Sequence, residues 1–200
     1  FDSGVVIKGY DFSKKFDFKK FLASYKSTGF QASHLAIAIE LIKKMRKEKA
    51  TIFLGYSSNI ISSGLRDIIA WLVKNKFVHV LVTTAGGIEE DIIKCLGNFY
   101  LGSFNADGIE LRKKGVNRIG NIFVPDNRYV EIEKVMQPLL KKLFERQKKE
   151  GKIFSASELI YELGKEVKDE SSVLYWASKN KIPVFCPCPT DGALGDQISY

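Results

Sequence analysis

The stretch Val78-His79-Val80-Leu81-Val82-Thr83-Thr84-Ala85-Gly86-Gly87-Ile88-Glu89-Glu90-Asp91 passes from an apolar, β-branched run through small hydroxyl and glycine residues into a segment with helical spacing. It predicts a strand over 78–82, a polar turn, and a helix from about Ile88 to Leu96. The same order occurs about 27 residues upstream, the repeat length of a strand–helix–strand unit. There Thr51 to Gly55 leads through Tyr56-Ser57-Ser58-Asn59 into an apolar helix marked by Leu65, Ile68, Ile69, Leu72 and Val73. A third strand is expected over Ile182 to Phe185, followed by a loop from Pro187 to Asp196. Strands alternating with helices imply a parallel sheet. The strand stretches are apolar without strict alternation, as strands covered on both faces should be.

The flanking segments extend this α/β reading. Ser33 is the expected cap of a helix in which Leu35, Ala38, Ile39, Ile42 and Met45 form one apolar face, and that face should pack on the sheet. Lys47-Glu48-Lys49-Ala50 then meets Thr51 with no glycine, proline or asparagine to turn the chain, which reads as a junction with residues missing. The middle is expected to be helical, with Tyr129 to Glu150 broken or kinked at Pro138. Ser155-Ala156-Ser157-Glu158 matches a capping box, and Ser172 is the expected cap of a short helix carrying Leu174, Tyr175 and Trp176. Trp71 and Trp176, on apolar helix faces, are expected in the core.

Composition narrows the class. With 45% apolar and 27% charged residues in 200, the chain suits one globular domain. The longest apolar run, Ile68 to Val73, is too short to cross a bilayer, and the first residues have neither the basic nor the apolar region of a signal peptide. Three cysteines (Cys95, Cys186, Cys188) fit free thiols rather than a disulfide framework, and a cytoplasmic location is expected. The net charge of +8 favours anionic partners in general, but the lysines are scattered as on solvated helix faces. Few aromatics interleave with basic residues in the polar loops, so nucleic acid is not an expected partner.

The chemistry is expected at the strand ends. In open parallel sheets ligands bind at the carboxyl ends of the strands, so the loops 57–64, 83–91 and 187–196 should converge on one crevice. Small hydroxyl and glycine residues there let backbone amides approach phosphate, although neither a G-x-G-x-x-G fingerprint nor a Walker loop is present. Glu89-Glu90-Asp91 is read at a helix start, where carboxylates stabilise the helix whatever the function. With Asp191 and Asp196 these acids would also suit a cationic substrate. Cys186-Pro187-Cys188, with only His34 and His79 to help, does not make a metal site, and neither histidine is assigned a chemical role. No Ser-His-Asp arrangement is indicated by spacing.

Five segments, Thr28-Gly-Phe-Gln-Ala32, Leu54-Gly-Tyr-Ser-Ser-Asn-Ile-Ile-Ser-Ser-Gly64, Leu81-Val-Thr-Thr-Ala-Gly-Gly-Ile-Glu-Glu-Asp91, Arg118-Ile-Gly-Asn121 and Thr190-Asp-Gly-Ala-Leu-Gly-Asp196, closely resemble deoxyhypusine synthases, in that family's order and from about Val6 onward. The resemblance implies a Rossmann-like parallel sheet flanked by helices, with residues 1–200 as the N-terminal and central portion of one NAD-binding domain. It implies a homotetramer of tight dimers with active sites at the dimer interface. It also implies a transferase reaction in which NAD oxidises spermidine, the aminobutyl group passes through an enzyme lysine to a lysine of the initiation factor 5A precursor, and the stored hydride reduces the product. By position, Ser58, Asn59, Ser62, Thr84, Ala85, Gly86, Glu90 and Asp191 resemble the family's NAD-contacting residues. Glu89, Glu90 and Asp196 resemble its spermidine-binding carboxylates. The family's catalytic lysine would lie beyond Tyr200, and none of Lys94, Lys113 or Lys165 stands in its context. The chain is therefore expected to be part of a longer synthase, or else to work with a second chain. The alternative is an inactive NAD-binding paralogue that regulates a partner synthase, and a more distant one is a basic nucleotide-binding module without chemistry.

Overall fold

The computed structural model describes residues 4–199. It divides between Thr51 and Ile52 into two compact units.

The first unit is a helical pair, α1 (Phe18–Thr28) and α2 (Phe30–Lys47), packed on each other. Asp17 caps α1 by accepting the amide of Lys20. The helices meet at Gly29, whose φ of 90° allows the sharp corner. Ser33 is therefore not a cap. It lies inside α2, where its hydroxyl accepts the Gly29 amide and donates to the Tyr25 carbonyl. Within this unit α2 pairs with α1, and Leu35 and Ile42 of its expected apolar face are exposed. At the end of α2 the chain turns without glycine, because Lys49 adopts φ 54° and the Ala50 amide returns to the Met45 carbonyl. A turn residue was thus not needed at that junction.

The second unit opens with β1 (Phe53–Tyr56), the one-turn helix α3 (Ser58–Ser62), α4 (Leu65–Lys74), β2 (Val80–Thr83) and α5 (Ala85–Leu96). A small subdomain follows: β3 (Tyr100–Leu101), α6 (Gly108–Lys113), β4 (Val116–Ile119) and β5 (Ile122–Pro125). The chain continues through α7 (Asn127–Glu150), α8 (Ala156–Glu166), α9 (Val173–Asn180), β6 (Val184–Phe185) and α10 (Ala193–Ser199).

The fold class is α/β, with β1, β2 and β6 forming a parallel sheet in the order β1-β2-β6, flanked by helices. Register sets Leu54 beside Leu81, and Leu81 beside Val184. Leu81 is fully buried at the centre, with Val73 of α4, Ile88 and Ile93 of α5, Ile132 and Met136 of α7, and Leu174 of α9 in the same core. That core requires the apolar 3.6-residue stripes of these helices to face the sheet.

Several expectations change here. The middle of the chain is not all helix: β3, β5 and β4 form an antiparallel sheet, and the tight Gly120-Asn121 turn, with Gly120 at φ 60°, joins β4 to β5. Helix α7 runs unbroken through Pro138, its apolar face holding Ile132, Met136, Leu139 and Leu143 in the core on both sides of the proline. Trp176 is buried and donates its indole N–H to the Glu170 carbonyl, whereas Trp71 is 54% exposed and lies against Phe77. The Ser155 capping box and the Ser172 cap form as expected.

Candidate functional site

The carboxyl ends of the three parallel strands deliver α3, α5 and the loop before α10 to one place. Helix α5 starts at Ala85, three residues ahead of the expected Ile88, because Gly86 and Gly87 are accommodated in its first turn rather than before it. A β-carbon on Gly86 would stand 2.7 Å from that of Ser58, and one on Gly87 would run into the Thr83 hydroxyl. The glycines therefore permit α3 and β2 to press against the start of α5. Thr84 is the N-cap and its side chain makes no cap hydrogen bond, while the Gly87 amide bonds the Thr84 carbonyl.

The acidic residues separate by role. Asp91 is fully buried and accepts hydrogen bonds from Arg66 Nε (2.7 Å), Ser172 Oγ (2.6 Å) and the Val173 and Leu174 amides (3.1 and 2.9 Å). It joins α4, α5 and the start of α9 and is a structural residue. Cys95 belongs to this knot, accepting from Arg66 and donating to the Asp91 carbonyl, and burial pushes its thiol up to about 12. Such a thiol is no nucleophile at neutral pH.

Glu89 and Glu90 lie where the strand-end segments meet. Glu90 is buried and accepts the Ser62 hydroxyl of α3. Burial raises its carboxyl to about 7; the charge of Glu89 adds to the rise, while Ser62 and Lys94 oppose it. Glu89 accepts the Leu194 amide at 2.8 Å from the start of α10. Its carboxyl is also raised, by burial first and then by Asp196, against the pull of that amide. Gly192, at φ 152°, would place a β-carbon 2.9 Å from the Glu89 carboxylate, so a glycine is needed where the third loop closes on α5.

The structure thus brings together Ser58, Ser62, Gly86, Glu89 and Glu90, with Asp196 near Glu89. Ala85 is buried in the first turn of α5, while Thr84, Asn59, Asp191 and Asp196 are exposed on their loops and helices. Two further residues were not expected. Tyr129, near the start of α7, is half-buried with its hydroxyl raised by burial and by the charges of Glu90 and Glu89. Lys94, one turn beyond Glu90 on α5, donates to three carbonyls at the end of α3. The i, i+4 spacing of Glu90 and Lys94 signalled a shared face; no sequence signal placed Tyr129, which a separate helix delivers.

The deoxyhypusine synthase family model matches residues 20–200. The chain belongs to the deoxyhypusine synthase family. It is 46% identical over 218 residues to the deoxyhypusine synthase of Senecio vernalis, covering 97% of this chain and 59% of that protein. It is 50% identical over 208 residues to a "probable deoxyhypusine synthase" of Thermococcus gammatolerans, covering 98% of this chain and 62% of the relative. A crystal structure from Entamoeba histolytica, described as a "putative deoxyhypusine synthase", superposes with a TM-score of 0.72 at 33% identity, covering 96% of this chain and 66% of that one. The chain therefore spans about three fifths of the length of these curated relatives.

Two clefts lie apart from the crevice carboxylates. One of about 460 Å³ sits by the amino end of β6, between Phe154, Tyr161 and Lys181, and one of about 670 Å³ lies between α7, α8 and residues 189–199. Neither is lined by Ser58, Glu89 or Glu90. Among the described residues no three His, Cys, Asp or Glu side chains gather as a metal site, and no helix is long and apolar enough to cross a membrane.

Proposed function

We propose that this chain forms the NAD- and spermidine-binding part of a deoxyhypusine synthase, which transfers the aminobutyl group of spermidine to a lysine of the initiation factor 5A precursor. The observation that carries this is the pair of carboxyls raised by burial, Glu89 and Glu90, on a helix whose N-cap side chain makes no cap bond, within a family match over residues 20–200.

The residues fit a dinucleotide. The open first turn of α5 favours phosphate through its amides and the positive end of the helix. Gly86 lets Ser58 of α3 lie against that turn, and Ser58, Asn59, Ser62 and Thr84 supply hydroxyl and amide groups near it; Asp191 lies on the third loop. NAD, when bound, would take up a hydride and return it. Glu89 and Asp196 are placed to hold ammonium groups of a polyamine. Glu90, titrating near neutrality, can hold or release a proton at its carboxylate while Ser62 keeps it oriented. The complete assembly proposed is a cytoplasmic homotetramer with active sites at the dimer interface.

The test is label transfer. The protein containing this chain, given NAD, precursor protein and spermidine labelled in its aminobutyl part, should place label on the precursor. Binding of NAD without any transfer would mark it as an inactive, regulatory paralogue, and neither binding nor transfer would contradict the proposal.

A further inference from the structure

Lys94 lies one helical turn beyond Glu90 on α5. Its ammonium has three protons and the structure gives it three acceptors: the carbonyls of Ile61 (3.0 Å), Ser62 (3.1 Å) and Ser63 (3.0 Å). They are the carbonyls of the last residues of α3 and of its C-cap; that of Ser63 also accepts the Arg66 amide. The Asn59 carbonyl takes the Ser63 amide, and the Ile60 carbonyl takes the Ser63 hydroxyl. A helix of five residues cannot stabilise itself, since nucleation costs more than one turn returns. Its last carbonyls carry the negative end of the helix, where a cation is favoured.

Ser62 is held from α5 at both ends. Its carbonyl accepts Lys94 and its hydroxyl donates to Glu90. We propose that Lys94 is a positioning residue, which clamps the end of α3 onto α5 and thereby holds Ser62 against the Glu90 carboxylate. Its role in the reaction rests on the reading of this crevice as the ligand site.

With all three protons donated to carbonyls, Lys94 is held as an ammonium, which has no lone pair for nucleophilic attack. Burial lowers its proton affinity, as does Arg66, while Asp67, Asp91 and Glu90 raise it. The groups that bear on Glu90 are Lys94 and Glu89 on α5, the Ser62 hydroxyl on α3 and the Tyr129 hydroxyl on α7; Asp196 on α10 acts through Glu89. Removing the Lys94 charge takes the cation out of this group, so Glu90 should hold its proton to higher pH.

The decisive readout needs no ligand, so it succeeds or fails independently of whether the crevice takes NAD. In the chain labelled with 13C at glutamate carboxyls, with Glu90 assigned by comparison with Glu90→Gln, Lys94→Met should move the Glu90 titration upward by about half a pH unit or more. Lys94→Arg, which keeps the charge, should leave it closer to the wild-type value. Amides of residues 61–64 should exchange about tenfold faster in Lys94→Met, while those of α8 and α9 do not change. Lys94→Gln, which retains two donors without the charge, takes the place of Lys94→Met if the latter does not fold. A folded Lys94→Met or Lys94→Gln variant in which Glu90 titrates as in the wild type would overturn the proposal. So would faster exchange spread evenly over the unit, which marks Lys94 as a general stabiliser only.

Discussion

Replacing Asp91 with asparagine should be among the most damaging single-atom changes available to this chain. The carboxylate is fully buried and receives four hydrogen bonds, from Arg66, Ser172, Val173 and Leu174. The asparagine would keep the shape but leave the Arg66 guanidinium, itself 3% exposed, without a counter-charge. Its amide nitrogen would also point a donor at donors. Breaking one side of a buried ion pair costs about 3–5 kcal/mol. For a domain of this size each kcal/mol lowers the melting temperature by about 2–4 °C, so the fall should be roughly 6–20 °C. Ser172→Ala, which removes a helix cap and one of the four donors, should cost only about 1 kcal/mol. Urea unfolding of Asp91→Asn, Arg66→Met and Arg66→Met/Asp91→Asn checks this, because the double variant removes both charges and should be less destabilised than the sum of the singles. A loss below about 1 kcal/mol for Asp91→Asn, or strict additivity in the cycle, would show that the pair is not what joins α4 to α5.

Other outcomes follow from the crevice. The Glu90 carboxyl is raised above its unfolded value, so its neutral form favours folding: that stability is fully present below about pH 4.5 and is lost as pH rises through about 7. Relative to Glu90→Gln, the wild-type melting temperature should therefore fall between pH 5 and 8, and parallel curves would contradict the buried setting of this group. Gly86→Val should force α3 away from α5, because even a β-carbon lies 2.7 Å from Ser58; NAD affinity should drop by about tenfold or more, as isothermal titration would show. In the complete enzyme, Asp196→Asn should lower spermidine affinity by roughly tenfold, the order expected for one lost charge-assisted contact, while sparing NAD. Asp191→Asn should weaken NAD first, and equal losses of both ligands in Asp196→Asn would refute that division.

Residues with strong local patterns were legible from sequence alone. The apolar run at 78–82, the polar strand-end loops, the Ser155 box and the Ser172 cap all depend on near neighbours, and they fold as their neighbours dictate. The joining of Ser62 to Glu90 and of Glu89 to Leu194 was foreseeable only as convergence of loops, because parallel topology puts strand ends together without naming the contacts. The second sheet was missed although Gly120-Asn121 carries a hairpin signal, since β3 has two residues and β4 and β5 four each, too short for a clear period. Asp91 looked like its acidic neighbours and differs only through Arg66, 25 positions away, so its burial could not be read locally. Pro138 misled for a similar reason: tertiary packing on both sides of it outweighs one missing helix bond.

The central claim is that the three strand-end loops make one nucleotide site, and hydrogen exchange of the chain with and without NAD tests it most directly. The account predicts slower exchange on NAD addition in 57–62, 84–90 and 190–194 together, with no change around the cleft by Phe154 and Lys181. Exchange that NAD leaves unaltered in all three loops, or slows in only one of them, would contradict it.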